Sequence, residues 1–494
     1  MADKEAAPST QPMSQSANPD ERLGRILLIV AVALATTLRL FDLDRSGLVN
    51  DELSSWTRAN LVGLGEVLSV ARGDVHPPLY QLLLWGWIGL FGDSETALRL
   101  PSAIASSGAV LAIGVLGRRL FGPTEGAIAA LFAATAPGLV LYGRFARSYG
   151  LVHLLTVLLA ILVVGCAARV ASGARPRAGN LLLMGLLAGL ALYTHYLSTL
   201  LVAFFGTALL VVAVTRNRPA LPWILGIGLG VALLFAPWLP MFMEDLRVGG
   251  LKFAKAPGLS DLMKLGRLGH SHWLLAGGVA LALLIREFSS SKSHTPKEPR
   301  PAAVSFVLLW LFGLGAVMWL YSLRSSIWTG RNLSLLSPAV ALLYARVLVQ
   351  LAGAHRPAAL IAVALTLLTC GVGASSGTLL GSMPAGDFRS AAMVLAEQSE
   401  ENRAAAVVTL SNHPKYFRYY FRSLDNPIEE DRWARSSKAA EAAVRELSRD
   451  HRLVWLLSGH KKFSKKRLKQ LRKRFRVVED HKFHGSRALL LELK

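Results

Sequence analysis

The sequence predicts an all-α polytopic membrane bundle followed by a small C-terminal α/β domain. Of its 494 residues, 52% are hydrophobic and only 17% are charged, and the mean hydropathy is +0.41. A soluble domain carries about 25% charged residues. Apolar runs of roughly 17–25 residues fill the first three quarters of the chain, long enough to cross a bilayer. These observations exclude a soluble enzyme, a coiled coil and a disordered protein.

The apolar runs predict about 11–13 transmembrane helices. Eleven runs are assigned as spans, at residues 26–41, 98–117, 126–142, 150–168, 181–193, 197–214, 221–243, 273–285, 302–323, 333–349 and 358–380. The run at 79–91 is too short for a crossing and fits an interfacial or re-entrant helix better. With the N-terminus inside, the basic clusters at 118–119, 175–177, 216–218, 286–300 and 355–356 then lie in the cytoplasm, as the positive-inside rule requires.

Three parts follow from this topology. Residues 1–22 are predicted to be a disordered cytoplasmic tail, and residues 23–383 a transmembrane domain with a long first outer loop at 42–78. Residues 384–494 form a soluble domain outside the cytoplasmic (inner) membrane, because an odd number of spans separates the two ends. In this domain we predict strands at 404–410, 452–457, 476–482 and 487–493, with helices near 387–399, 437–449 and 464–474.

The net charge of +22 is attributed to cytoplasmic loops that retain Lys and Arg, so no nucleic-acid partner is expected. Cys166 and Cys370 both lie in apolar runs, and no disulfide framework is predicted. No phosphate loop of the GxxxxGK type is present, which argues against an ATP-driven pump. The basic run 461–476 is either a solvated helix face or a segment that docks on anionic lipid headgroups.

Acidic residues at the start of the first outer loop are the first candidate site. Asp51 and Glu52 are predicted to open a short interfacial helix, where carboxylates stabilise the helix N-terminus through its dipole. The alternative is that one of them is a general base at the membrane surface. His76 precedes Pro77 and Pro78 and is either a solvated loop residue, a ligand or an acid/base.

Arginines at the outer ends of spans are the second candidate. Arg144 and Arg147 lie where the third span emerges, and Arg324 and Arg331 flank the turn between the ninth and tenth spans. They either snorkel to lipid headgroups or hold an anion, and phosphate suits the guanidinium fork. Since nucleotides are not available outside, that phosphate would belong to a lipid. The YTHY string at 193–196 is either an interfacial aromatic belt or places His195 in a cavity.

Several strings in a fixed order now identify a resemblance. They are NDELSSW at 50–56, HPPLY at 76–80, SETALRLPSA at 94–103, GRRLFG at 117–122 and YGRFARSYGL at 142–151. Together they resemble the bacterial membrane glycosyltransferases of family 39 type, relatives of the protein O-mannosyltransferases and the lipid A aminoarabinose transferases. The resemblance covers roughly the first 200 residues, and GRNLSLLSP at 330–338 and DFRSAA at 387–392 are similar to later family segments.

The resemblance implies a GT-C fold with its active site in the extracytoplasmic loops, and a sugar donor linked to polyprenyl phosphate. It implies that Asp51 is the catalytic acidic residue with Glu52 as its neighbour. It also implies that the donor phosphate is bound by Arg144, Arg147 and Arg331. The predicted substrate pocket is completed by His76, Tyr149, Tyr193 and His195. The region around Tyr149 lacks the acidic residue of the protein mannosyltransferases, which puts a protein acceptor in doubt beside a glycan or a lipid.

The mechanism expected is a single inverting displacement in which Asp51 takes the proton of the acceptor hydroxyl. Arginines would stabilise the departing lipid phosphate. No cofactor is predicted; Asp51 and its neighbours offer ligands for Mg²⁺ or Mn²⁺, but nothing calls for a metal. A flippase or transporter that uses the same arginines without chemistry stays open, as does a ligase of lipid-linked glycans.

Overall fold

The computed structural model describes residues 19–74, 76–248, 256–263, 300–354, 387–397, 406–422, 424, 428–459, 463 and 465–494. The helices up to residue 216 are α1 Pro19–Leu40, α2 Asn50–Ala59, α3 Leu64–Arg72, α4 Leu79–Phe91, α5 Glu95–Leu120, α6 Pro123–Thr135, α7 Pro137–Gly143, α8 Tyr149–Ala171, α9 Ala178–Thr194 and α10 Ser198–Arg216. After them come α11 Leu221–Phe235, α12 Leu239–Val248, α13 Leu259–Met263, α14 Arg300–Leu308, α15 Leu314–Arg324, α16 Gly330–Leu333 and α17 Ser337–Ala354.

In the part of the chain that is described, seven helical segments are long and apolar enough to cross a membrane: Asp20–Leu40, Glu95–Leu120, Tyr149–Ala171, Ser198–Arg216, Arg218–Arg247, Ala302–Arg324 and Gly330–Ala352. They fall on predicted spans and confirm a multi-pass membrane protein. Two further predicted spans are observed as the bent pair α6–α7 and as the short apolar helix α9. The predicted spans 273–285 and 358–380 lie outside the described residues. The run at 79–91 forms a short apolar helix, α4.

The bend between α6 and α7 has a simple cause. The two helices meet at 62°, at Pro137, which has no N–H to donate to the carbonyl of Ala133. The buried side chain of Arg39 supplies donors instead: its guanidinium donates to the carbonyls of Ala133 at 3.1 Å and Ala134 at 3.0 Å. The carbonyls at the break are therefore satisfied inside the bundle, as a membrane interior requires.

The C-terminal domain is a five-stranded sheet with helices on both faces. Its strands are β1 Ala406–Leu410, β2 Glu430–Ala434, β3 Leu453–Gly459, β4 Phe475–Phe483 and β5 Ser486–Leu493, in the order β2-β1-β3-β5-β4. The strand β1 is parallel to β2 and β3, and β5 is antiparallel to β3 and β4. The helices are α18 Phe388–Met393, α19 Lys415–Phe421, α20 Ser437–Leu447 and α21 Lys465–Arg474. The predicted α/β domain is confirmed, although β2 and α19 were not predicted.

The two faces of this sheet have different partners, because successive strand residues point to opposite sides. Trp455 and Leu457 pack with α18, α19 and the first outer loop, whereas Val454 and Leu456 pack with α20 and α21. The basic helix α21 therefore lies on the face turned away from the transmembrane domain. This position favours the solvated face over docking on lipid headgroups.

The first outer loop and the C-terminal domain share one hydrophobic cluster. Leu48 and Leu53 of the loop region pack there with Phe388, Tyr416 and Phe417 of the domain. The amide of Leu48 donates to the hydroxyl of Tyr420 at 2.6 Å. The loop and the domain thus lie at the same end of the bundle, as the predicted topology requires.

Candidate active site

The helix α2 begins where the acidic pair predicted it. Val49 precedes it in an extended conformation, and its amide donates to Glu52 Oε2 at 3.0 Å, which satisfies one donor at the helix start. Asp51 and Glu52 occupy the first turn and Arg58 the last, the arrangement that the helix dipole favours. With 3.6 residues per turn, Asp51, Ser54 and Arg58 share one face, and Glu52 lies on another.

Glu52 is fully buried and holds the loop region together. Its carboxylate accepts two hydrogen bonds from Arg99, each at 2.8 Å, and one from the amide of Ala146 at 3.0 Å. The same guanidinium of Arg99 donates to the carbonyls of Leu43 and Ser46 at 2.5 and 2.8 Å. Glu52 thus connects α2 to α5 and to the segment before α8. Its hydrogen-bond partners are the Arg99 guanidinium and backbone amides.

Asp51 faces a different side of α2 and meets Arg331. The Nη1 atom of Arg331 lies 2.5 Å from Asp51 Oδ2 across 280 residues of sequence, with 40% of the Asp51 side chain and 20% of the Arg331 side chain exposed. The predicted acid and one predicted arginine are therefore in direct contact at the end of the bundle. The carboxylate is half-open to incoming groups, unlike that of Glu52.

The short helix α16 holds Arg331 in place. Thr329 caps it through its side chain, which accepts from the amide of Asn332 at 3.4 Å. The hydroxyl of Ser334 donates to the carbonyl of Arg331 at 2.5 Å and lies 3.1 Å from His153 Nε2 in α8. The backbone of Arg331 is thus fixed against the transmembrane helices, while its side chain reaches out to Asp51.

Arg147 is the second predicted arginine in the cluster. Its guanidinium is almost fully buried, and Nη1 lies 3.4 Å from Ser55 Oγ and 3.5 Å from the carbonyl of Asp51. Nη2 contacts His76 Nε2. Its Nε atom is buried without a hydrogen-bond partner among the described residues. A buried donor of this kind is available to a hydrogen-bond acceptor on a ligand.

Aromatic rings form a wall beside these charges. The ring centroids of His76 and His195 are 5.7 Å apart, those of Tyr149 and His195 are 6.0 Å apart, and those of Tyr142 and Tyr149 are 5.3 Å apart. Burial first, and then the nearby Arg147 and Arg331, lower the pKa of His195 to about 3. His195 is therefore neutral at pH 7.

Two further groups lie on the Asp51 face of α2 and were not predicted. Arg58 pairs with the buried carboxylate of Asp74 at 2.9 Å. The ammonium of Lys415, from α19 of the C-terminal domain, donates to Ser54 Oγ. Burial first, and then the charge of Arg58, lower the pKa of Lys415 to about 8.

Sequence signals existed for only some of these residues. Arg58 follows Asp51 by seven residues, two turns of helix, so the helical period alone places it on the same face. Asp74 stands in the acidic outer loop. Lys415 has no such signal, because it is 361 positions from Ser54 in the sequence and only the docking of α19 brings it near α2.

Four predicted positions lie apart from this cluster. Arg144 donates to the carbonyls of Leu38, Phe41 and Asp42 at 3.0, 2.6 and 2.7 Å, so it caps the end of α1. Tyr193 packs on Phe235 and Trp238 and donates to the carbonyl of Leu234. Arg324 is exposed at the end of α15. Glu52, with its fixed partners, belongs to the supporting structure. The predicted roles of these residues in binding or catalysis have no support in this geometry.

Cationic side chains thus outnumber carboxylates in this cluster. Arg58, Arg147, Arg331 and Lys415 surround Asp51 and Asp74, with Asp245 within electrostatic range beyond Asp74. Within the described ranges, no group of three or more His, Cys, Asp or Glu side chains is arranged to hold a metal ion. The arrangement can bind an anion and can offer a carboxylate as a proton acceptor beside it.

The comparisons with known proteins agree with this architecture. Residues 75–241 match the family model described as dolichyl-phosphate-mannose-protein mannosyltransferase. No curated protein matches the sequence significantly. Among solved structures, ArnT from Cupriavidus metallidurans bound to undecaprenyl phosphate is similar at a TM-score of 0.55 with 15% identity, over 94% of this chain and 97% of that one. The archaeal oligosaccharyltransferase AglB from Archaeoglobus fulgidus, in complex with an inhibitory peptide and a dolichol phosphate, is similar at 0.52 with 12% identity, over 88% and 69%.

At these identities the likeness establishes the fold. It extends over the transmembrane bundle and the C-terminal domain alike, since it covers nearly all of this chain and of ArnT. The chain therefore has the GT-C fold of membrane glycosyltransferases, as the resemblance of its loop motifs implied.

Proposed function

We propose that this protein is an integral-membrane glycosyltransferase that moves a sugar from a polyprenyl-phosphate donor to a hydroxyl of a glycan, lipid or protein acceptor. The observation that carries the proposal is the contact between Asp51 and Arg331, with Arg147 beside them, at the loop end of the bundle. ArnT binding undecaprenyl phosphate and AglB binding a dolichol phosphate support a lipid phosphate as the ligand. The site would face the outside of the cytoplasmic membrane.

The reaction is a single displacement. The acceptor oxygen attacks the anomeric carbon of the sugar while its proton passes to the Asp51 carboxylate. The bond between that carbon and the phosphate oxygen breaks, and its electron pair stays on the oxygen. A phosphate leaves without a strong acid, so one carboxylate is enough and the anomeric configuration inverts.

The arginines have two tasks in this reaction. Arg331 holds Asp51 before the donor arrives, and the bound phosphate then shares its guanidinium, which leaves the Asp51 oxygen available to the acceptor. Arg147, with a buried Nε that has no described partner, is placed to meet a second phosphate oxygen. Both cations stabilise the charge that grows on the leaving phosphate.

The aromatic wall is the proposed place for the sugar. Tyr149, His195 and His76 present ring faces and edges next to Arg147. An aromatic wall of this kind fits the apolar faces of a sugar ring and shields the reacting carbon from water. We assign no cofactor and no nucleic-acid partner to the reaction; donor, acceptor and membrane lipids are the partners.

The experiment is incubation of the purified full-length protein with a panel of polyprenyl-phosphate sugars, with release of polyprenyl phosphate as the readout. We expect turnover of at least one donor. The Asp51→Asn variant should lose turnover and still bind the donor. A flippase would translocate lipid in both forms, and an Asp51→Asn variant with undiminished turnover would contradict the proposal.

A further inference from the structure

We propose that Lys415 of the C-terminal domain contacts the leaving phosphate and stabilises the second negative charge that it acquires. The inference rests on the proposed function and deepens it, because it makes the C-terminal domain part of the active site. Lys415 is the first residue of α19. Its ammonium donates to the hydroxyl of Ser54, which lies one turn along α2 from Asp51.

The helix that carries Lys415 is held against α2 and the start of α5 by several contacts. The hydroxyl of Tyr419 donates to the carbonyl of Asp93 at 2.8 Å, and that of Tyr420 donates to Glu95 Oε1 at 2.9 Å. The ring of Trp56 in α2 meets the ring of Tyr419 edge-on, with centroids 5.1 Å apart. Arg422, at the end of the same helix, pairs with Asp93. The helix α19 is thus fixed to α2 and to the start of α5.

The charges around Lys415 call for an anion. Among the described residues, neither Lys415 nor Arg147 has a carboxylate within ion-pairing distance. Arg58 and Arg147 both act on Lys415 electrostatically and disfavour its charged form, and Asp51 and Asp74 offset them only in part. Lys415 and Arg147 lie beside Ser54 and Ser55 of α2 and repel each other. An anion between them would offset this repulsion. A phosphate there would meet both.

The chemistry of the reaction gives this cation a specific use. The donor is a phosphate diester with one negative charge, and the product is a monoester that reaches two. The second charge appears as the bond between sugar and phosphate breaks. A cation that meets this charge lowers the barrier more than it strengthens donor binding. Lys415 should therefore strengthen binding of the polyprenyl phosphate product more than binding of the donor.

The test compares binding of polyprenyl phosphate and of a polyprenyl-phosphate sugar by the wild type and by Lys415→Met, both full-length. Loss of one charged contact predicts about tenfold weaker binding of the monoester and a smaller loss for the diester. Lys415→Arg should bind both within about threefold of the wild type. The matched control is Lys469→Met on the exposed face of α21, on the far side of the sheet, which should change neither.

A second variant separates phosphate binding from simple attachment of the domain. Ser54→Ala removes the hydroxyl that Lys415 contacts and keeps the ammonium, so monoester binding should stay within about threefold of the wild type. Inorganic phosphate serves as the competitor. Because the prenyl chain adds to the affinity of the lipid, we expect millimolar inorganic phosphate not to displace it.

The outcomes are distinct. Monoester binding by Lys415→Met equal to the wild type, or a loss in Ser54→Ala as large as in Lys415→Met, overturns the inference and leaves the proposed function standing. A wild type that binds neither lipid overturns both. A larger loss for monoester than for diester in Lys415→Met, with rescue by Lys415→Arg, supports the inference.

Discussion

Asp51 and Glu52 are neighbours on α2 that face different directions: Asp51 meets Arg331 at the half-exposed end of the bundle, and Glu52 meets Arg99 in the interior. Successive helix residues are turned by about 100°, so the two carboxylates enter different environments. Glu52 accepts hydrogen bonds from a guanidinium and from two backbone amides. One carboxylate is therefore available for proton transfer, and the other positions the helix that carries it.

The first prediction concerns Glu52. Glu52→Gln leaves the charge of Arg99 buried without its partner, and breaking such a pair costs about 3–5 kcal/mol. We expect a clearly lower midpoint of thermal unfolding in detergent. Glu66→Gln, at an exposed position of α3, is the matched control and should unfold as the wild type does. Equal midpoints for Glu52→Gln and Glu66→Gln would show that the Glu52 network does not stabilise the loop region.

The second prediction concerns Arg331. Arg331→Met removes a cation from both Asp51 and the proposed phosphate. We expect polyprenyl phosphate to bind roughly 10- to 100-fold more weakly, which corresponds to the loss of a hydrogen bond to a charged group. Arg324→Met, seven residues earlier on an exposed surface, provides the control. A titration with labelled lipid measures both, and similar affinities for the two variants would remove Arg331 from the phosphate site.

The third prediction separates Arg144 from the site. Its guanidinium donates to three carbonyls near the end of α1. Arg144→Met leaves these acceptors without their donor and should destabilise the protein by about 1–3 kcal/mol. Donor affinity of the folded variant should match the wild type. A fall in affinity at unchanged thermal stability would return Arg144 to the phosphate site that the resemblance assigned to it.

The contrast between Arg144 and Arg147 shows what the sequence can predict. Both lie in one motif at the end of a span, and their positions at the loop end were predictable from the apolar runs that precede them. Which one turns toward Asp51 depends on side-chain packing: Arg144 finds carbonyls of α1, whereas Arg147 is enclosed by α2 and His76. No pattern in the motif encodes that choice.

The C-terminal domain shows the same limit. Its buried strands were predictable because β1 and β3 are continuous apolar runs, but β2, with the sequence EDRWA, is polar and lies at the sheet edge. The helix α19 was missed because its KYFRYYF run is short and aromatic. Lys415 enters the site only through the docking of this helix, so its place near Asp51 could not be predicted from local sequence.

The fourth prediction is a pH dependence. Burial and the charge of Arg58 lower the pKa of Lys415 from 10.5 to about 8. Lys415 therefore loses its charge as the pH rises through about 8, and affinity for polyprenyl phosphate should fall over that range. The bound anion raises this pKa, so the fall extends above pH 8 until the complex also loses the proton.

Lys415→Arg, which stays charged, should show no fall up to pH 9.5, and this comparison is the control. Folding responds in the opposite sense, because the charged lysine is disfavoured in the folded protein: its contribution to stability increases as the pH rises from 8 toward 10.5. A binding curve that is flat with pH in the wild type would contradict the role of Lys415 in phosphate binding.

The most direct test is a single-turnover measurement on Asp51→Asn with a saturating polyprenyl-phosphate sugar, alongside donor binding by the same preparation. Loss of a positioned base predicts a rate lower by about 10²- to 10⁴-fold. Donor affinity should be retained, since Arg147, Arg331 and Lys415 are unchanged. A rate within a few-fold of the wild type would contradict the assignment of Asp51 as the group that accepts the acceptor's proton.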